Sequence, residues 1–227
     1  MTTASRRITR KDLKQPDWFQ ITSDRALEFY EANQLKVWIA AGVLVLVIAG
    51  IWGWQQFRQQ QNAAASEAFM RAMTFFEAQN YRDAIPAFQK AEGYRWSRYA
   101  ALGYLYESIS HMDLKDLDKA ISTAERFVAT TSSDSLYRQV GLIQLASAEE
   151  LKNNCKQAID HYAEAERVGP VLKDKAILGK ARCAEQIGDT NTALASYREY
   201  VKDQPGSYVE VKIAELEAKA PTQPAKK

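Results

Sequence analysis

Ala158-Ile159-Asp160-His161-Tyr162-Ala163-Glu164-Ala165, closed by Pro170, is the stretch on which the fold turns. An alanine, an aromatic residue four places on and a small residue three after that fall on one face of a helix. The same spacing returns at Ala193, Tyr197, Tyr200 and Pro205, and at Ala84, Phe88 and Ala91 without the proline. Twelve residues ahead of these alanines stand Ala72, Ala146 and Ala181, small enough for a second helix to approach closely. Turn-forming residues lie between each pair, at Gln79-Asn80-Tyr81, Asn153-Asn154-Cys155 and Gly188-Asp189-Thr190. A looser copy has Leu102-Gly103 and Tyr106 in its first helix and Ala120, Ala124 and Phe127 in its second, with His111 to Asp116 read as an insertion. The second-helix alanines Ala84, Ala120, Ala158 and Ala193 are 36, 38 and 35 residues apart.

This pattern resembles the tetratricopeptide unit, two antiparallel helices in about 34 residues. It predicts an all-α chain whose second half is a solenoid of four helical hairpins, from Ser66 to Gln204. Pro86 is placed in the first turn of its helix, where a missing N–H is tolerated. Ser207 is expected to cap a final helix, Tyr208 to Ala218, whose polar outer face closes the solenoid. Residues 221–227 are read as a frayed tail.

Ahead of the repeats, Val37 to Phe57 contains no charged residue. Twenty-one helical residues span about 31 Å, the thickness of a bilayer's hydrocarbon core. Trp38 at one end and Trp52 and Trp54 at the other suit the two membrane interfaces. The segment is therefore read as a single transmembrane helix over 37–57. Its rivals are a buried core helix and a cleaved signal sequence ending near Ala63-Ala64-Ala65; the 36 residues ahead of the run are too many for an ordinary signal n-region. Residues 1–36 carry seven Lys and Arg against five acids, leaving 23 of each for the remainder of the 30 basic and 28 acidic residues. The basic lead-in predicts a cytoplasmic N-terminus and an exported domain over 58–220. Within the lead-in, residues 1–16 are read as having little fixed structure, and Ser23 as capping a short helix, Asp24 to Gln34.

The balanced charge of the second half lacks the basic footprint of a nucleic-acid binder. His111 and His161 have no ligand-type neighbours at metal spacing and are read as surface helix residues. Glu149, Glu150, Glu164 and Glu166 are read as a solvated face. No phosphate loop, nucleophile elbow or CxxC occurs. An enzyme, a cofactor and a small-molecule substrate are therefore not expected. Cys155 and Cys183 fit either packing positions within the repeats or a disulfide at a shared edge of two units.

Counting from the small residue of each first helix, the positions facing the solenoid groove are Phe69, Met73 and Phe76, then Ala100 and Tyr104, Ile143 and Ser147, and Leu178 and Arg182. The groove is apolar at its N-terminal end, which suits an extended apolar segment of another protein.

The layout also resembles a known family. Ile8-Thr9-Arg10-Lys11-Asp12-Leu13-Lys14, then Leu27-Glu28-Phe29-Tyr30-Glu31-Ala32-Asn33 and the apolar helix, look like the bacterial ancillary subunit of the SecYEG translocon. The resemblance implies a bacterial inner-membrane protein whose periplasmic repeats act beside the translocon, with periplasmic chaperones, on newly exported chains. A structural scaffold of an envelope assembly and an organellar import receptor with cytosolic repeats are the competing expectations.

Overall fold

The computed structural model describes residues 18–219; the readings made for residues 1–16 and 221–227 lie outside them. The chain divides into two compact units at the Phe57–Arg58 boundary.

In the first unit α1 spans Trp18–Ala32 and is followed at Asn33 by α2, which spans Gln34–Glu77. Helix α1 starts upstream of Ser23, which is thus an interior residue and not the predicted cap; no Gly or Pro between Trp18 and Ser23 stops the helix from extending backwards. Asn33 makes the junction by donating its side-chain amide to the Phe29 carbonyl (3.2 Å) and accepting from Lys36 Nζ (3.1 Å). Helix α2 is long and apolar enough to cross a membrane, and none of its most apolar stretch is buried by the rest of the chain. Trp38, Trp52 and Trp54 are all exposed.

The second unit is built from the last turns of α2 with α3 (Tyr81–Glu92), α4 (Arg98–Asp113), α5 (Leu117–Ala129), α6 (Leu136–Leu151), α7 (Cys155–Val168), α8 (Lys173–Gln186), α9 (Thr190–Asp203) and α10 (Val209–Lys219). Each helix packs on its sequence neighbour, and the first helices of successive hairpins also touch, α4 on α6 and α6 on α8. The interface alanines are the core: Ala72, Ala84, Ala91, Ala120, Ala146, Ala158, Ala165, Ala181 and Ala193 are fully buried. A methyl group at a crossing lets two helix backbones approach and leaves larger residues, Phe88, Phe127, Tyr162 and Tyr197, to fill the space between.

All four hairpins close through the same three-residue turn. The N–H groups of Asn80, Asp116, Asn154 and Asp189 reach back to the carbonyls of Phe75, His111, Glu149 and Ala184, at 2.8–2.9 Å. The residue before each has positive φ: Gln79 (58°), Lys115 (62°), Asn153 (66°) and Gly188 (78°). This is the left-handed C-terminal stop of a helix. The predicted insertion between His111 and Asp116 is therefore corrected: α4 runs to Asp113 and turns like the others, so the extra length falls in the links between hairpins. Only Gly188 carries no side-chain penalty for its φ. Lys115→Gly should raise stability by about 0.5–1 kcal/mol, less the entropy glycine gains when unfolded, or roughly 1–4 °C in thermal melts. An unchanged or lower Tm would show that Lys115 is not strained.

Two further expectations are corrected. Pro86 is the sixth residue of α3 and not in its first turn, because the turn at Asn80 starts the helix at Tyr81. It is exposed, so the carbonyl it leaves unbonded, at exposed Arg82, faces solvent. Ser207 does not cap α10; its hydroxyl makes no hydrogen bond, and Glu210 instead reaches back to accept the Gly206 N–H (2.8 Å). Helix α10 buries Val209 and Leu216 against Tyr197 and the last hairpin, and exposes Glu210, Glu215 and Glu217.

Candidate interaction surface

The register of the second hairpin decides which side chains share a surface. Ser108 stands twelve residues ahead of Ala120, as Ala72, Ala146 and Ala181 do ahead of their own alanines. It is fully buried, and its hydroxyl donates to the Ala120 carbonyl (2.8 Å). Ser108 is therefore the small contact residue of this hairpin, satisfying its polar atom with the backbone it touches.

Gly103 has another task, shared with Gly141 and Gly179. Each lies in a first helix where the preceding hairpin's second helix comes too close for a Cβ. An added carbon would lie 3.2 Å from the Phe88 carbonyl at Gly103, 2.7 Å from the Phe127 ring at Gly141 and 2.3 Å from the Tyr162 ring at Gly179.

With Ser108 in register, equivalent positions run along the first helices as Phe69, Met73 and Phe76; Leu105, Ile109 and Met112; Ile143, Ser147 and Glu150; and Leu178, Arg182 and Glu185. Ala100 and Tyr104 leave the row. Ala100 is buried, and Tyr104 lies under Arg126 of α5, whose guanidinium is 4.3 Å from the ring centroid. Phe69 is also corrected: it is buried among Phe88, Tyr99 and Tyr106, with ring centroids 5.5–5.7 Å away. Phe76 is half-buried and meets Tyr81, Phe88 and Tyr106 edge-on. Met73, Ile143 and Leu178 keep part of their surface exposed.

The C-terminal half of the row is a ladder of polar contacts. Glu150 accepts from Tyr162 (2.7 Å) and, in a two-pronged pair, from Nε and Nη2 of exposed Arg182 (2.9 Å each). Glu185 repeats the arrangement, accepting from Tyr197 (2.8 Å) and from Lys212 of α10 (2.8 Å). Burial and the adjacent carboxylates push both tyrosine hydroxyls well above the ordinary phenol range, so they act as fixed donors. In the first two hairpins the same pair of positions is apolar, Phe76 with Phe88 and Met112 with Ala124.

The carboxylates read as a solvated face are thus corrected. Glu149 is buried against His161 (2.8 Å), which it holds above the usual imidazole range; Glu164 pairs with Arg138 and Glu166 with Lys180. Ion pairs between helices, which one helix's periodicity does not reveal, draw them inward.

His111 is corrected likewise. It is buried between Glu107 and Asp116, at 3.6 and 3.7 Å. Glu107 is buried too, as is Glu92, which interacts with Glu107; Gln89 donates to Glu107 (2.7 Å), while Arg126 approaches Glu92 at 3.7 Å. Burial, with the hydrogen bond and the charge of Glu107, pushes the Glu92 carboxyl up to about 9, against the pull of Arg126. Glu92 packs against Gly103, where an added Cβ would lie 2.9 Å from its Cγ. Among the described residues, no three His, Cys, Asp or Glu side chains are grouped to hold a metal ion.

Cys155, at the start of α7, and Cys183, on α8, are disulfide-bonded with their Cα atoms 5.0 Å apart. The bond ties the third hairpin to the fourth beside the Glu150–Arg182 pair.

Stacked helical hairpins with alanine crossings and one continuous first-helix surface define the class of repeat proteins that bind other proteins. Residues 28–218 match the model of the tetratricopeptide repeat-like domain, and the chain belongs to that family. No curated protein matches the sequence. Among solved structures, a crystal structure of MamA protein superposes with a TM-score of 0.60 at 17% identity, covering 68% of this chain and 81% of that one. A second MamA crystal structure gives 0.57 at 19% identity, over 65% and 84%. A thermophilic TPR protein in Thermus thermophilus gives 0.50 at 17%, over 69% and 82%. At these identities the likeness is one of fold.

Proposed function

We propose that this protein is a membrane-anchored adaptor of the bacterial inner membrane. Residues 1–36 are cytoplasmic, 37–57 cross the bilayer with Trp38, Trp52 and Trp54 at its interfaces, and 58–220 present the repeats on the periplasmic side. The observation that carries this reading is the exposed apolar stretch of α2 joined to a four-hairpin repeat domain. An exposed run of that size needs a lipid or protein cover. The basic lead-in supports the orientation, and so does the disulfide, since such bonds persist in oxidising compartments.

The partner surface is the N-terminal half of the row, with Met73, Phe76, Leu105, Ile109 and Met112. Ile143, Leu178 and Arg182 extend it, but beyond Ser147 its charges are already paired. It takes an extended apolar segment of another protein, at the Sec translocon and with periplasmic chaperones. Two measurements test this. A phosphatase reporter fused after Ala220 should be active in the periplasm; activity only from a cytoplasm-dependent reporter there would reverse the topology. A photocrosslinking residue at Met73 or Ile109 should capture translocon subunits, chaperones and exported chains. Adducts with fixed envelope subunits alone would favour a scaffold.

A further inference from the structure

Consecutive helices of the second unit reverse direction, because links of only a few residues join them. The hairpin turns therefore collect along one edge, and the links α3–α4, α5–α6, α7–α8 and α9–α10 along the other. Side chains tie the second, third and fourth links to one another. Gln139, just after the second link, donates to the Gly169 and Ala165 carbonyls and accepts the Leu172 N–H of the third. Asp174, just after the third, accepts from Gln204 of the fourth (3.2 Å). Tyr94 of the first link lines a shallow depression with Ala64, Glu67 and Ala68 of α2. The first link therefore lies beside the Ala64–Ala68 stretch of α2.

Large exposed side chains lie in three links and in the first turn of α6 after the second: Trp96 (56% exposed), Tyr137 (58%), Val171 (68%) and Tyr208 (66%). These three aromatics are the exposed ones among the described residues after Arg58; the turn edge shows Leu114, Leu151 and Ile187, at 38–49%. Residues 93–98, 130–138, 167–175 and 202–212 hold eight basic and four acidic residues, but Arg138, Lys173 and Lys212 are paired with Glu164, Glu199 and Glu185, so the excess positive charge is concentrated in the first link, at Arg95 and Arg98. Arg95 and Arg98 flank Trp96 without an intervening acid.

A row of Trp and Tyr whose Trp is flanked by two arginines is the composition of a membrane–water interface. Side chains spread singly along this edge present an extended front, not a pocket.

We infer that the link edge, through Trp96, Tyr137, Val171 and Tyr208 with Arg95 and Arg98, is a docking surface for the anionic headgroups of the bilayer in which the chain is anchored. This rests on the anchoring proposed above. The turn edge then lies about 20–24 Å off, one first-helix length of roughly 16 residues.

The test uses the full chain with Trp18, Trp38, Trp52 and Trp54 replaced by Phe, reconstituted in phosphatidylglycerol-rich vesicles containing a headgroup-proximal spin-labelled lipid. Trp96 emission should be quenched, and added salt should relieve the quenching. Arg95→Glu and Arg98→Glu should each reduce the docked population about fivefold. A tryptophan placed on the turn edge by Ile187→Trp, in a Trp96→Phe background, should stay bright. Equal quenching at the two edges, none at Trp96, or quenching indifferent to salt would overturn the inference while the chain still resists carbonate extraction. Extraction by carbonate would overturn the anchor and this inference together.

Discussion

Gly179→Ala should destabilise the repeat domain by about 2–3 kcal/mol, although alanine in an open helix position gains about 1 kcal/mol over glycine. The new methyl would sit 2.3 Å from Tyr162 Cζ and 2.4 Å from Cε1. The ring cannot retreat easily, because it is buried and its hydroxyl is bonded to Glu150 (2.7 Å) and Ser147 (3.1 Å). Relief must come from shifting α8 against α7, which loosens the Ala158, Ala181 and Cys183 contacts. For a domain of this length the loss corresponds to roughly 4–12 °C in Tm. Thermal melts of the full chain in detergent measure it. In a Tyr162→Leu background the same substitution should cost less, because the clashing ring is gone. Wild-type melting of Gly179→Ala would mean that the two helices are not packed this closely.

Glu92→Gln should make the protein more stable in mild alkali and leave it nearly unchanged in mild acid. The folded carboxyl titrates near 9 and the unfolded one near the ordinary 4.5, so folding at neutral pH takes up a proton. Stability from this group is complete below about 4.5 and is lost as pH rises towards 9, at up to about 1.4 kcal/mol per unit. Between pH 5 and 8 the wild type should lose about 2–4 kcal/mol through Glu92. Glutamine has no proton to release and can still donate to Glu107. His161 weakens the fold in the same direction, since its raised pKa also favours low pH, but it is present in both proteins and cancels in their difference. Parallel stability–pH curves for wild type and Glu92→Gln would show that Glu92 ionises in the folded state.

The spacing of Ala158, Tyr162 and Ala165 was enough to recover the hairpins, because small residues at helix crossings recur wherever the crossing recurs. Where the residue type changed, the same count still held but was harder to see. Ser108 fills the alanine position by bonding its hydroxyl to the opposing backbone, and taking Gly103 for it displaced the groove assignment of Ala100 and Tyr104. Counting twelve back from Ala120 recovers it. Lys115 hid its turn in a similar way, since lysine is not a residue that announces positive φ.

Periodicity states which face of a helix a side chain occupies, and that is a local property. It made the exposed apolar run of α2, the register of the first, third and fourth hairpins and the polar outer face of α10 legible from the residues alone. What covers a face depends on residues far away in the chain, and that emerges only when the hairpins stack. Tyr99 and Tyr106 of the second hairpin enclose Phe69, so an apparent groove residue became core. Glu92, Glu107 and His111 look like ordinary surface residues one helix at a time and are shut in together when α3 and α4 close over them. Cys155 and Cys183, 28 residues apart, become bonding neighbours because adjacent hairpins stack in register. Arg182 was legible as exposed, but its neutralisation was not, because Glu150 belongs to the helix of another hairpin.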